Sequence, residues 1–141
     1  MTHAAILSLI LVLAPQYQVP PYFAMAIAMQ EHNGGAISAT VQNRNKNGTY
    51  DRGVMQLNSS WYKDANWRDP ETNIRAGLAH IKWLMERPQV TTFWAVALCY
   101  NCGLSRLDKP PVSALNYADA VINKWNELEP RNNQVVIMPR R

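Results

Sequence analysis

The segment PPYFAMAIAMQE, residues 20–31, ends in Glu31, which is the first formally charged residue of the 141-residue chain. At helical spacing, Phe23 and Ile27 fall on the same helix face as Glu31. Burial on such a face disfavours the ionised carboxylate and raises the pKa of the carboxyl group. A carboxyl that keeps its proton near neutral pH suits a general acid. The alternative is a surface glutamate near a helix end.

A second carboxylate, Asp51, follows in NRNKNGTYDRGVMQLN, residues 43–58, which is polar and rich in asparagine. One carboxyl in apolar surroundings and one in polar surroundings are the usual equipment for cleaving glycosidic bonds. Asp51 also fits a turn, where aspartate bonds nearby backbone. We therefore treat Glu31 and Asp51 as candidate catalytic residues and leave both interpretations of Asp51 open.

The chain length and the 48% hydrophobic content predict one packed domain, which we place at residues 1–130, with a short basic tail at 131–141. The formal charge of +4 would help approach to an anionic polymer such as bacterial wall material. Because no stripe of Lys and Arg with interleaved aromatics occurs, we expect no nucleic-acid partner.

Residues 4–14, AAILSLILVLA, have the length of a signal-peptide core. No Lys or Arg precedes them, and Ala14-Pro15-Gln16 is a poor cleavage site. They are also too short to span a bilayer as a helix. We predict a buried first helix, no clear signal peptide and no stable membrane insertion.

Cys99 and Cys102 form a lone C-x-x-C, which could be redox-active or half of a metal site. No second cysteine pair completes such a site, and the three histidines are scattered along the sequence. We expect two small buried thiols, no metal and no organic cofactor.

The remaining pattern predicts a mostly helical α+β fold with one small β-hairpin beside the acid-bearing helix. Asn47-Gly48 is the strongest hairpin signal, and the hairpin closes near residues 54–57. Caps, glycines and prolines predict helices over about 4–17, 21–32, 74–86 (entered through Asp69-Pro70-Glu71), 92–101 and 114–128.

Five motifs follow one another over about residues 6–126, namely AIAMQE, GVMQLN, DPETNIRAGLAHIKWL, CYNCG and NYADAV. In this order they resemble the lytic transglycosylase (SLT-like) family of the lysozyme-like superfamily. The family's usual forms are AI…QES, GLMQ, N…AG…YL, AYNAG and a late Tyr. Residues 43–62 are also similar to the hairpin of c-type lysozymes and of the specialised transglycosylases of conjugation and type III secretion.

The resemblance implies a lysozyme-like fold and cleavage of the glycan strands of peptidoglycan. Glu31 would protonate the bond oxygen between N-acetylmuramic acid (MurNAc) and N-acetylglucosamine (GlcNAc). It would then deprotonate the muramoyl 6-hydroxyl, giving a 1,6-anhydroMurNAc end. Asp51 matches the second catalytic carboxylate of c-type lysozymes.

The resemblance also implies roles around these two carboxylates. Gly53 would permit a tight backbone, and Gly103 would cap a helix. Asn58 would support the hairpin or face the cleft. The substrate-binding set, in which the last tyrosine also bonds the catalytic Glu in the family, is Met55, Gln56, Tyr100, Asn101 and Tyr117.

Three departures from the family pattern bear on the chemistry. His32 replaces the usual Ser and would lower the pKa of Glu31 if it were protonated close by. Cys99 and Cys102 replace two alanines, a change that we expect to preserve function. Arg52, where many relatives have a small residue, could pair with Asp51.

Two rivals to a lytic transglycosylase follow from the same residues. One is a muramidase in which Glu31 and Asp51 cleave the same bond with water. The other is a glycan-binding or assembly domain without turnover. We expect action on the bacterial cell wall in the periplasm, with a phage lysis or virion protein or a secretion-assembly accessory as the candidate settings.

Overall fold

The computed structural model describes residues 1–130, so the predicted basic tail at 131–141 lies outside the described residues. The domain is mostly helical with one small antiparallel sheet, which confirms the predicted α+β class. Two 3-10 turns, Ala14–Tyr17 and Leu104–Arg106, connect the longer elements. In chain order these are α1 (His3–Leu13), α2 (Pro21–Glu31), β1 (Gln42–Arg44), β2 (Tyr50–Arg52), β3 (Leu57–Asn58), α3 (Pro70–Met85), α4 (Phe93–Cys102) and α5 (Val112–Leu128).

Helix α2 is the central helix of the core. Every residue from 23 to 28 is buried, so the helix is enclosed on all sides and not only on the face predicted from spacing. The ring of Phe23 packs against Phe93 and Trp125, with centroid distances of 5.1 and 5.0 Å. Glu31 is the last residue of this apolar helix, so its carboxyl lies at the edge of the core.

Helix α1 is the buried first helix that the sequence predicts. Ile6, Ile10 and Leu13 are buried in the core. The α-helix ends at Leu13 and continues as a 3-10 turn through residue 17, because Pro15 has no N–H for the α-helical ladder. Within residues 1–130, no helix combines the length and the apolar character that a membrane span needs.

The sheet has one strand more than the sequence predicts. The hairpin between β1 and β2 turns at Asn47-Gly48, as predicted, with Gly48 at φ +85°. Strand β3 then pairs with the other edge of β2, which makes β2 the central strand. Asp51 consequently lies opposite Asn43 on one side and Asn58 on the other.

The other helix ends mostly follow the capping signals. The Asp69 carboxylate accepts from the Thr72 N–H at 2.9 Å, and the Thr92 hydroxyl accepts from the Ala95 N–H at 3.1 Å. Gly103 ends α4 at φ +90°, as predicted. Helix α5 begins at Val112, two residues before the predicted start, directly after Pro111.

The turn after β2 is fastened to α3 through the fully buried side chain of Asn73. Its Oδ1 accepts from the Met55 N–H at 2.7 Å, and its Nδ2 donates to the Arg52 carbonyl at 3.0 Å. Gly53, at φ +76°, lies so close that an added Cβ would stand 2.7 Å from Asn73 Cγ. Gly77 in turn leaves room for Met55, whose Cγ would be 2.6 Å from an added Cβ.

We expect Gly77→Ala to destabilise the fold by about 1–3 kcal/mol, because the new methyl overlaps Met55 in a packed interior. Helix propensity alone predicts the opposite sign, a gain of about 0.5–1 kcal/mol. Urea denaturation of the variant and the parent measures the difference. Ala79→Gly, at an exposed site of α3, isolates the propensity effect. A Gly77→Ala variant more stable than the parent would contradict the steric argument.

Candidate active site

A cleft of about 610 Å³ opens between the sheet and the ends of α2 and α4. Both predicted catalytic carboxylates line it. Most of its other lining groups are amides, hydroxyls and aromatic rings. The lining residues are Glu31, Asn45, Asn47, Asp51, Gln56, Leu57, Asn58, Ser60, Trp61, His80, Cys99, Tyr100, Asn101, Cys102 and Gly103.

Glu31 keeps some exposure to the cleft, but protein surrounds its carboxyl on most sides. The pKa of Glu31 is raised to about 8, mainly by this desolvation, and the negative charge of Asp51 acts in the same direction. The Tyr117 hydroxyl donates to Glu31 Oε2 at 2.6 Å and opposes that rise, since it stabilises the carboxylate. The hydrogen bond predicted for Tyr117 is therefore confirmed.

Asp51 is held by a polar network on the cleft side of β2. Its Oδ1 accepts from Asn45 Nδ2 at 3.2 Å and from Asn58 Nδ2 at 3.0 Å. The same two amides donate to the Thr49 hydroxyl oxygen. Asn58 thus both supports the hairpin and lines the cleft. The network fixes the direction of one carboxylate oxygen without placing a cation beside it.

The predicted pairing of Arg52 with Asp51 is wrong. Arg52 Nε donates to Gln42 Oε1 at 2.8 Å, and its guanidinium lies 5.6 Å from the ring centroid of Trp67. The reason is the strand itself, because successive side chains of β2 point to opposite faces of the sheet.

His32 does not act on Glu31 as a neighbouring cation. Its Nε2 donates to the Val54 carbonyl at 3.0 Å, and burial lowers the pKa of the imidazole. The pKa of Glu31 is set by its burial, by the hydrogen bond from Tyr117 and by the charge of Asp51. The His32 side chain therefore links the C-terminal end of α2 to the turn after β2.

The GVMQ segment contributes mainly through its backbone and its internal bonds. The prediction that Met55 lines the cleft is wrong, because its side chain is 0% exposed and packs against α3 at Gly77. Gln56 reaches the cleft, but its amide bonds to Asn43 Nδ2 at 2.8 Å and to the Gly53 carbonyl at 2.9 Å. These bonds hold Gln56 at φ +51° and stabilise the loop between β2 and β3.

Helix α4 supplies the opposite wall. The Tyr100 hydroxyl donates to the Met55 carbonyl at 2.5 Å, and its ring lines the cleft. Burial raises the pKa of this phenol well above its ordinary value, so it remains a donor. Asn101 is exposed to the cleft, and its side-chain amide has no hydrogen bond to the described part of the chain. Gly103 ends the helix at the cleft rim.

Several cleft residues escaped the sequence analysis. Trp61, His80 and Asn45 all line the cleft, although their separation in sequence gave no signal of it. The two thiols also lie in its wall: Cys99 is buried, as expected, while Cys102 is half-exposed. Burial raises the pKa of Cys99 to about 11. No group of three His, Cys, Asp or Glu within residues 1–130 could hold a metal ion.

Replacing Glu31 by Gln should stabilise the domain at pH 7 by on the order of 2–3 kcal/mol. The folded-state pKa of Glu31 lies above its unfolded value of 4.5, so the parent loses stability as pH rises from about 4.5 to 8. Glutamine stays neutral and escapes that loss. Thermal unfolding of both proteins between pH 4 and 9 measures the gap, which should close near pH 4.

Glu127→Gln is the matched control, because Glu127 is exposed and paired only with Lys124 at the surface. We expect a change below about 0.5 kcal/mol. Equal stability of the Glu31→Gln variant and the parent at pH 7 would show that the carboxyl is not desolvated.

The comparison with known families agrees with the resemblance found in the sequence. A family model described as "Transglycosylase SLT domain" matches residues 8–123, from the middle of α1 through the sheet, α3 and α4 into α5. A search of curated proteins found no match. Because the match to this family model covers more than half of the chain, this chain belongs to the transglycosylase SLT domain family.

Proposed function

We propose that the domain cleaves the β-1,4 bond between MurNAc and GlcNAc in peptidoglycan and leaves a 1,6-anhydroMurNAc end. The family supports a lytic transglycosylase-type function and a peptidoglycan substrate. The observation that supports acid catalysis is the position of Glu31 in the wall of a cleft of about 610 Å³, where Tyr117 bonds its carboxyl and burial raises its pKa to about 8.

Glu31 serves in both halves of the reaction. As an acid it gives its proton to the glycosidic oxygen while the bond from that oxygen to the muramoyl anomeric carbon breaks. As a carboxylate it then takes the proton of the muramoyl 6-hydroxyl, whose oxygen bonds to the anomeric carbon. The proton count on Glu31 returns to its starting value, and no water is consumed. The Tyr117 hydroxyl stabilises the intervening carboxylate.

Asp51 contributes a fixed negative charge to the same cleft. Between the two proton transfers the sugar ring develops positive charge, which a nearby carboxylate stabilises. Asn45 and Asn58 hold Asp51 by its Oδ1. This arrangement is also what favours the rival hydrolytic reaction, in which water ends up on the anomeric carbon.

Residues on both sides of the cleft contribute to glycan binding. Asn101 presents a donor and an acceptor free of protein partners within residues 1–130, a good match for an acetamido group. Tyr100 offers its ring face, since its hydroxyl is bonded to Met55. Gln56 positions the loop, and we assign it an indirect role. The phage and secretion settings stay predictions from the sequence.

Digestion of purified peptidoglycan, followed by mass spectrometry, tests the proposed reaction. We expect fragments that end in 1,6-anhydroMurNAc, one water lighter than reducing ends. Glu31→Gln should lower the rate by at least about a hundredfold, the typical contribution of a positioned acid or base. Glu127→Gln lies on α5 ten residues beyond Tyr117, about 15 Å along the helix axis, and should retain the parent rate.

Reducing ends in place of anhydro ends would identify a muramidase and make Asp51 a direct participant. Fragments of either kind from Glu31→Gln at the parent rate would contradict both enzymatic mechanisms. Binding of the polymer without any fragments from the parent would leave the glycan-binding role as the explanation.

Tyr117→Phe should move the alkaline limb of the pH–rate profile to higher pH. The hydroxyl stabilises the Glu31 carboxylate, so its loss raises the pKa of Glu31 and prolongs protonation. Loss of one hydrogen bond to a charged group, worth about 1.5–3 kcal/mol, should also slow the reaction roughly tenfold to a hundredfold. An alkaline limb that moves to lower pH, or stays in place, would show that Tyr117 does not tune this acid.

A further inference from the structure

His80 is part of an aromatic cluster at the cleft wall that the proposed reaction does not use. Its ring centroid lies 4.9 Å from Trp61, 5.7 Å from Tyr100 and 6.0 Å from Trp83. The last pair is stacked, with planes 12° apart. Contacts from three rings fix the imidazole, so its orientation toward the cleft is built into the fold.

Trp83 supports His80 from behind and is not itself part of the cleft lining. The Arg87 guanidinium lies 4.6 Å from the Trp83 centroid, and the Arg87 Nε donates to the Trp83 carbonyl. Contacts with both His80 and Arg87 occupy the Trp83 ring, although 43% of the residue is exposed. The polar group that this cluster presents to the cleft is therefore the His80 imidazole.

The ring nitrogens of His80 have no hydrogen-bond partner among residues 1–130. Burial lowers the pKa of His80, so the imidazole is neutral and carries one donor and one acceptor. A purely packing role would be filled as well by phenylalanine, with no polar atoms to desolvate. A neutral donor–acceptor pair held by aromatic rings matches a sugar hydroxyl, which also both donates and accepts.

We propose that His80 is a substrate-binding residue, whose imidazole hydrogen-bonds a sugar hydroxyl of the glycan strand while the adjoining Trp61 and Tyr100 rings flank the sugar. The inference rests on the proposed function for its substrate class, an N-acetylated β-1,4 glycan. Helix α3 would then contact the glycan directly, on the same side of the cleft as Tyr100 of α4.

The test compares His80→Phe, which keeps the stacked ring, with His80→Gln, which keeps a donor and an acceptor. Calorimetry with a tetramer of β-1,4-linked GlcNAc, in the Glu31→Gln background, measures affinity without turnover. We expect His80→Phe to weaken binding about threefold to tenfold, as one neutral hydrogen bond implies. His80→Gln should recover part of that loss, and Ala79→Ser, exposed on the same helix, should change nothing.

With Glu31 intact, His80→Phe should raise KM for solubilised peptidoglycan by a similar factor and leave kcat unchanged. Its thermal stability should equal or exceed that of the parent, which separates lost binding from lost packing. Parent-like affinity and KM in His80→Phe would overturn the inference while leaving the proposed reaction in place. A protein that binds the tetramer through His80 yet releases no fragments would support the inference and contradict the proposed reaction.

Discussion

The two hydrogen bonds of the Asn73 amide join the helical part of the domain to its sheet. They fix the backbone from Arg52 to Met55, and the close approach of the same amide leaves space only for a glycine at position 53. Asp51 directly precedes Arg52 on β2, so the same bonds help to position it. The Met55 carbonyl is set where the Tyr100 hydroxyl of α4 reaches it. One buried side chain thus positions both walls of the cleft, and its loss would leave the Met55 N–H and the Arg52 carbonyl without these partners.

The parts of the fold that could be predicted from the sequence are those that depend on neighbouring residues in the chain. Asp69 and Thr92 start helices through side-chain caps, and Asn47-Gly48 turns a hairpin, because each needs only its immediate neighbours. Strand β3 was not predictable in this way. It is two residues long, and it exists because β2 offers it a free edge beside a loop that Gln56 holds at positive φ.

The residues of the candidate site likewise fall into those that the sequence identifies and those that depend on tertiary packing. Glu31 and Asp51 were identified from the contrast between their surroundings, and Tyr117 from motif resemblance, and the structure brings all three together. Met55 was misjudged because a motif position does not tell which side of a loop a side chain takes. His80 was overlooked because its neighbours, Trp61 and Tyr100, come from other elements. Their convergence depends on tertiary packing that no local pattern encodes.

The electrostatic balance at the carboxylates gives Asp51 a function that does not require contact with substrate. Within residues 1–130 neither Glu31 nor Asp51 forms an ion pair, and the nearest arginine in sequence, Arg52, is bonded to Gln42 on the opposite face of the strand. Neutral amides hold Asp51 without cancelling its charge. That charge therefore acts on Glu31 and helps to keep the acid protonated, while Tyr117 limits how far its pKa rises. A cation at either carboxylate would favour ionised Glu31. The proposed acid catalysis at neutral pH therefore requires that no cation lie beside Glu31 or Asp51.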